Sequence, residues 1–390
     1  MGGASTGADA SGVRSEVARV AAGFAADRSA RQQRRHLERA DFDELARAGF
    51  LLTGVPREQG GLWSSPAEST RDVCEILRAL ARGDASVALV SSMHPAVLSF
   101  WLTTPEVPEP YRTAWAEQRA TVFGAALDGE WWGTITSEPG SGGDVTRSKA
   151  LARPDGDGGY LLSGAKHFGS GSGITSNMLT TAGPEGEEQP DWFYVPVAGV
   201  PWDGSAGVEL VGEWDGHGMA ATQSHAMRFD SCPAVRFAWP GHLEEIIAAT
   251  APVVGALFTA VVTGVVEVAV ESARAYLEPR AESLRAYEQV EWAQAEMEGW
   301  LAVQAYEGLL RAIETGAPAR GAVVRGKTAA AQLAESALRR ICRVIGGGTF
   351  SQRSPFGWWF EDVRALGFLR PPWGLAFDGL FLESFTPPPS

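Results

Sequence analysis

At 390 residues, 45% hydrophobic and 21% charged, the chain has the composition of a soluble globular protein of two or three domains. Its formal charge of −14 speaks against nucleic acid as a partner, because a phosphate backbone would be repelled. Three scattered cysteines, Cys74, Cys232 and Cys342, lack the spacing of a zinc site or a disulfide framework, so no metal is expected and a reduced cytoplasm is the expected location.

Residues 1–12 are rich in Gly, Ala and Ser and read as a disordered tail without the pattern of a signal peptide. From 13 to 120 the apolar residues recur at helical spacing, as in Leu37, Phe42, Leu45 and then Val73, Ile76, Leu77, Leu80. Pro56, Gly60, Gly61 and Pro66 mark a loop between these helices. From 121 to 240 short alternating apolar runs, broken by Gly- and Pro-containing turns, predict an antiparallel β domain. From 241 to 390 helical periodicity returns, with breaks at Gly316–Pro318 and Gly346–Gly348. Its first apolar run, Ile246 to Val270, carries Thr250, Pro252, Thr259, Thr263 and Glu267 and predicts a buried core helix in preference to a membrane span.

Two segments carry the chemistry. Trp132-Gly133-Thr134-Ile135-Thr136-Ser137-Glu138-Pro139-Gly140-Ser141-Gly142-Gly143-Asp144 reads as a strand entering a Gly-rich turn with no helix after it. Closely spaced N–H groups in such a turn suit a phosphate or a flat polar ring. Tyr160-Leu161-Leu162-Ser163-Gly164-Ala165-Lys166-His167-Phe168-Gly169-Ser170-Gly171 is a second strand, ending in an aromatic residue and a Gly/Ser turn.

Together they resemble the two flavin-contacting segments of the acyl-CoA dehydrogenase superfamily, Thr-Glu-Pro-x-x-Gly-Ser-Asp and Gly-x-Lys-x-(Trp/Phe). Arg274 to Arg280 is similar to the family's Tyr-x-x-x-Arg element, Arg343 to Phe350 to its Gln-x-x-Gly-Gly-x-Gly-Tyr, and Phe360 to Arg364 to its Arg-Asp-Ala-Arg turn. The resemblance implies a mostly α, α+β fold: an amino-terminal helical domain, a middle antiparallel β-barrel domain and a carboxy-terminal four-helix bundle. It implies FAD, with FMN or a diffusible reduced flavin as alternatives. Carried over by position, Thr136 and Ser137 would meet the flavin ring, Phe168 would wall it, and Gly142, Gly143, Gly169 and Ser170 would line it. Arg280, Arg343, Gly346 and Gly347 would reach the AMP half across the interface of a homo-oligomer, a dimer or tetramer.

The departures are as informative. Gly143 stands where the family has a pyrophosphate-binding Ser, leaving a backbone N–H as the expected donor. The commonest catalytic Glu, eight residues after the Asp of Arg-Asp-Ala-Arg, falls on Arg370, and the alternative Glu of another branch falls on Val254. Arginine does not act as a base at neutral pH, but it can bind an anion. His94, after the helix leading to the β domain, is the expected acid or base, its ordinary pKa being about 6.5. Asp378, Glu383, His217 and His225 are weaker candidates.

Three functions follow. The first is α,β-dehydrogenation of an acyl thioester, on CoA or a carrier, with hydride passing to flavin N5 and an electron-transfer flavoprotein as partner. The second, close behind, is a two-component monooxygenase fed by a flavin reductase. Phe168-Gly169-Ser170-Gly171 and Gly218-Met219-Ala220-Ala221-Thr222-Gln223-Ser224 are similar to turns of such enzymes, although their usual His falls on Leu369. The third is a non-redox protein with a degenerate flavin site.

Overall fold

The computed structural model describes residues 9–316 and 319–385. Helix α1 (Ala10–Ala26) starts inside the expected tail, because the Asp9 carboxylate accepts the free N–H groups of Ser11 and Gly12 and caps it. Residues 1–8 of that tail lie outside the described residues. Short helices α2 (Arg28–Gln32) and α3 (Arg39–Arg47) lead to α4 (Pro66–Ala81). Pro66 belongs to α4 and not to the loop: it occupies the first turn behind the Ser65 cap, where a missing N–H costs nothing. Helix α5 (Ala85–Leu102) is capped by Asp84 and runs through Pro95. Helix α6 (Glu109–Leu127) crosses the boundary expected at residue 120.

Strands then occupy the middle of the chain: β1 (Trp132–Thr134), β2 (Leu151–Pro154), β3 (Tyr160–Gly169), β4 (Asn177–Pro184), β5 (Asp191–Pro196), β6 (Val208–Gly212) and β7 (His225–Arg236). The pairings β4–β2–β3–β7–β5–β4 close on themselves, so the sheet is a barrel, with β1 added at β4 and β6 at β7. Most pairings are antiparallel, but β1/β4 and β2/β4 are parallel, a feature that alternation of apolar residues cannot disclose. The interior is filled by inward residues such as Ile135, Leu162, Met178, Phe193 and Phe229.

Helices α7 (Leu243–Leu277), α8 (Ala286–Glu314) and α9 (Ala319–Ile345) form the long bundle, joined by α10 (Pro355–Val363) and α11 (Trp373–Ser384). The break expected at Gly316–Pro318 begins at Gly316, which ends α8; residues 317–318 lie outside the described residues. Helices α5 and α7 are long and apolar enough to cross a membrane, yet 83% of each apolar window is buried inside the protein, as in core helices. One core joins α1, α3, α4 and α5 to the bundle. A second, rich in aromatic residues (Trp101, Trp115, Trp132, Trp192, Phe237), seats the barrel on α5 and α6. Trp131 and Trp132 are therefore core residues.

Candidate functional site

The two Gly-rich segments meet edge to edge. The His167 N–H donates to Ser137 O at 2.8 Å across an antiparallel bridge, so Phe168 lies beside Thr136 and Ser137. The Ser-Glu-Pro turn is held by a buried ion pair: Lys166 Nζ lies 2.5 Å from Glu138 Oε1 and also donates to Thr181 O at 2.5 Å. Glu138 in turn accepts the N–H groups of Lys149 and Ala150 and the Ser148 hydroxyl. Burial works against the Glu138 charge, but Lys166 and Ser148 outweigh it and keep the carboxyl below its ordinary pKa. Burial also lowers the pKa of Lys166, against the pull of Glu138. Glu138 is thus the clamp of the turn.

Past this clamp, Phe168 is 56% exposed and adopts φ 59°, a left-handed conformation costly for a bulky residue and typical of positions under functional constraint. Met219 and Gln223, in the loop between β6 and β7, share that conformation. Trp214 of the same loop sets its ring edge-on to Phe168, 6.1 Å between centroids. The loop is fastened from several directions. Gly171 N–H donates to Thr222 O, Leu37 N–H to Gln223 Oε1, and Met219 N–H to Asp362 Oδ1 at 2.6 Å. Gly218 is required here, since a Cβ would lie 2.3 Å from Glu361 O.

Arg370 enters the site from the chain's far end. Its guanidinium donates to Thr136 Oγ1 at 2.6 Å, to Ser137 Oγ at 3.4 Å and to the carbonyl of Gly143. Among the described residues it has no carboxylate within ion-pair distance, and burial, opposed by Asp144, lowers its pKa to about 10. Lys327 of α9, 2% exposed, aims it: the ammonium donates to Leu369 O at 2.8 Å and to Pro371 O at 2.6 Å, the carbonyls on either side of Arg370. Burial lowers the Lys327 pKa to about 7. Among the described residues, no carboxylate is hydrogen-bonded to Thr136, Ser137 or Arg370. Val254 packs between the two helical cores, while Asp378 is exposed and Glu383 pairs with Arg325 on the surface.

Gly143 has φ 83°, which disfavours the Ser found there in the resembling motif. Its N–H donates to Ser141 Oγ at 3.2 Å. At the opposite end of the bundle Arg280 stacks on Tyr276, donates to Val344 O, and keeps a buried Nε without a partner. Gly346 and Gly347 follow α9 there, and Arg343 lies 3.5 Å from Glu291. No hydrogen bond or ion pair joins this cluster to Thr136, Ser137 or Phe168 among the described residues.

No protein-family model matches the chain. It is 28% identical to a dibenzothiophene monooxygenase of Mycolicibacterium goodii over 253 residues, 61% of this chain and 56% of that protein. The chain thus spans little more than half the length of that relative. An amino sugar nitrososynthase of Streptomyces peucetius is 27% identical over 360 residues, 85% of this chain and 82% of its own. Among solved structures, TdsC of Paenibacillus sp. A11-2 with FMN and indole superposes with a TM-score of 0.78 at 20% identity, covering 97% of this chain and 98% of that one. Butyryl-CoA dehydrogenase of Megasphaera elsdenii gives a TM-score of 0.81 at 17% identity, over 96% and 98%. The chain has the acyl-CoA dehydrogenase fold.

Within that fold His94 has a different place from the one expected. It is fully buried on α5, with Nε2 donating to Leu51 O at 3.0 Å and Nδ1 accepting the Trp132 N–H at 3.3 Å. Burial lowers its pKa to about 4, so the ring is neutral near pH 7 and both nitrogens are spent on structure. His94→Leu is expected to cost about 2–4 kcal/mol in urea unfolding, because two buried backbone groups lose their partners. The pH profile of turnover should be unchanged. His225 is likewise an acceptor, for Trp214 N–H, and His217 is exposed.

Asp362 shows the opposite shift. Burial, reinforced by Asp84 and Glu361, raises its pKa from 3.8 to about 7. The folded state therefore holds a proton that the unfolded state releases between these values, and stability falls as pH rises through that window. Asp362→Asn keeps the acceptor for Met219. It is expected to be about 1–3 kcal/mol more stable than the parent at pH 8 and no different at pH 4, by urea unfolding at both values.

Proposed function

We propose that this protein is a two-component flavin-dependent monooxygenase, taking reduced flavin from a separate reductase and inserting one oxygen atom of O2 into a small organic substrate. Arg370 carries the reading. It holds Thr136 and Ser137 from the position where α,β-dehydrogenation would require a proton acceptor, and a guanidinium takes up no proton at neutral pH. The names of the relatives, a monooxygenase and a nitrososynthase, favour oxygen chemistry over acyl thioester oxidation.

The residues present fit a flavin. Phe168 offers an exposed aromatic wall, Thr136 and Ser137 offer hydroxyls at the ring edge, and Arg280 has an unspent N–H at the end proposed to meet the phosphate or AMP part. Bound flavin supplies the electrons that activate O2. The chain's own work is to seat the ring, orient the hydroxyls, and cover the site with the pinned loop around Trp214 and Met219. Because Glu291 faces Arg343, FMN is proposed to suffice, FAD gaining little from its AMP half. The exposed Tyr287, Val290, Met297 and Trp300 of α8 form an apolar face suited to a second copy in a cytoplasmic homo-oligomer.

The test is spectroscopic. Protein saturated with oxidised FAD or FMN is mixed anaerobically with a panel of acyl-CoA thioesters. The flavin absorbance is expected to persist; bleaching by any of them would replace this reading with the dehydrogenase.

A further inference from the structure

The Trp214 ring stands edge-on to Phe168, and one peptide group fixes its place there. The Trp214 N–H donates to His225 Nδ1 at 2.9 Å, which anchors the backbone, and the indole Nε1 reaches along the loop to donate to Met219 O at 2.9 Å. Gly216 lies against the indole: a Cβ there would come 2.0 Å from Trp214 Cζ2, so any side chain would displace the ring. Met219 is 2% exposed, and its carbonyl also accepts the Thr222 hydroxyl at 2.8 Å. Its φ of 50° costs a residue with a side chain about 1–2 kcal/mol and persists where partners impose it. The partner on its N–H is Asp362 of α10, whose Oδ1 accepts at 2.6 Å. Hydrogen bonds thus run from the helical bundle to the ring site in the order Asp362, Met219, Trp214.

Asp362 is 7% exposed and bonds to no cation among the described residues. Arg28 and Arg31 line the same small cavity, but Arg28 is committed to the carbonyls of Arg82 and Gly83, and Arg31 to Asp41 and Asp84. Glu361, beside it on α10, pairs with Arg364, while α7 and α9 meet α10 through the apolar core around Phe356, Trp359 and Val363. We infer that Asp362 is a positioning residue of the ring site, setting the Trp214 indole against Phe168 through the Met219 peptide. The relay itself needs no flavin; its effect on binding rests on the flavin reading above. Ionisation weakens the hold. Burial, with the charges of Asp84 and Glu361, keeps the carboxyl protonated up to about pH 7, and above that the carboxylate gains water only if the loop lifts. Trp214 is therefore seated at lower pH and released as pH rises.

The experiment reads Trp214 directly, in protein free of flavin. Fluorotryptophan is incorporated throughout, and the fluorine NMR resonance of Trp214 is assigned by its loss from Trp214→Phe. In the parent it is expected to shift as pH is raised from about 6 to about 8, with a midpoint near 7. Asp362→Asn keeps an acceptor for Met219 but cannot ionise, so it should hold the resonance at the parent's low-pH position throughout. Asp362→Ala should move it at every pH. Ser86→Ala removes only the 3.4 Å bond to Ala221 N–H in the same loop and should leave it in place. At about pH 6, Asp362→Ala is expected to weaken oxidised FMN about 3- to 10-fold, the scale of one hydrogen bond, with Asp362→Asn within about twofold of the parent. A Trp214 resonance indifferent both to pH and to Asp362→Ala overturns the proposal and leaves the flavin reading intact. A resonance that moves in Asp362→Ala without loss of FMN affinity overturns the role of Trp214 at the ring site. A parent whose resonance behaves as expected but which binds no FMN overturns the flavin reading and leaves the relay standing.

Discussion

Lys166→Met is expected to cost about 3–5 kcal/mol of stability, because it leaves the Glu138 carboxylate buried without its counter-charge. The sign of its pH dependence follows. With Lys166 gone, burial still opposes the Glu138 charge while its strongest favourable partner is lost, so its pKa rises relative to the parent's although Ser148 and Lys149 still hold it down, and the loss grows as pH rises and shrinks on acidification. Urea unfolding at pH 5 and pH 8 reads both effects. Adding Glu138→Gln removes the orphaned charge and keeps an acceptor for the N–H groups of Lys149 and Ala150, so the double variant should recover part of the loss at pH 8. A cost below about 1 kcal/mol at pH 8 would mean that the pair does not clamp the turn.

The second large effect is on binding. Lys327→Met removes the donor that fixes the carbonyls of Leu369 and Pro371, and with it the aim of the Arg370 guanidinium. The affinity for reduced FMN is expected to fall about 10- to 30-fold. Global stability should fall by about 1–2 kcal/mol, since the carbonyls of Leu369 and Pro371 lose their donor while the cost of burying the ammonium is relieved. Lys327 is a positioning residue, so the decisive readout is a double-mutant cycle: Lys327→Met should add almost nothing to Arg370→Gln. Additive losses would show that Lys327 acts on the site independently of Arg370.

How far the sequence discloses this site depends on the distance between partners. Ser137-Glu138-Pro139 and the strand ending in Phe168 announce themselves locally, and the count from Asp362 leads directly to Arg370. What Glu138 does is not local, because its Lys166 partner comes from another strand and is brought in by the barrel closing. The Ser170–Ser224 contact likewise joins residues 54 apart. Lys327 leaves only a faint trace, a cation on the stripe formed by Val323, Ala331 and Ala334 in α9, all buried. Its partners, 42 and 44 residues later, lie in a segment with no regular pattern. His94 misleads for the complementary reason: a titratable residue before a proline looks available until burial and the Leu51 and Trp132 contacts are known. Helical and strand periodicity depend on neighbours a few residues apart, which is why the α, β, α order is legible while the parallel β1/β4 and β2/β4 pairings are not.

The central claim is that the ring site serves reduced flavin and oxygen. Stopped-flow mixing of O2-saturated buffer with FMN reduced in the presence of excess protein tests it without knowledge of the substrate. The account predicts that flavin reoxidation leaves the autocatalytic course of free reduced FMN for a protein-limited course that saturates with protein concentration. Reoxidation that follows the free-flavin course at every protein concentration would contradict it.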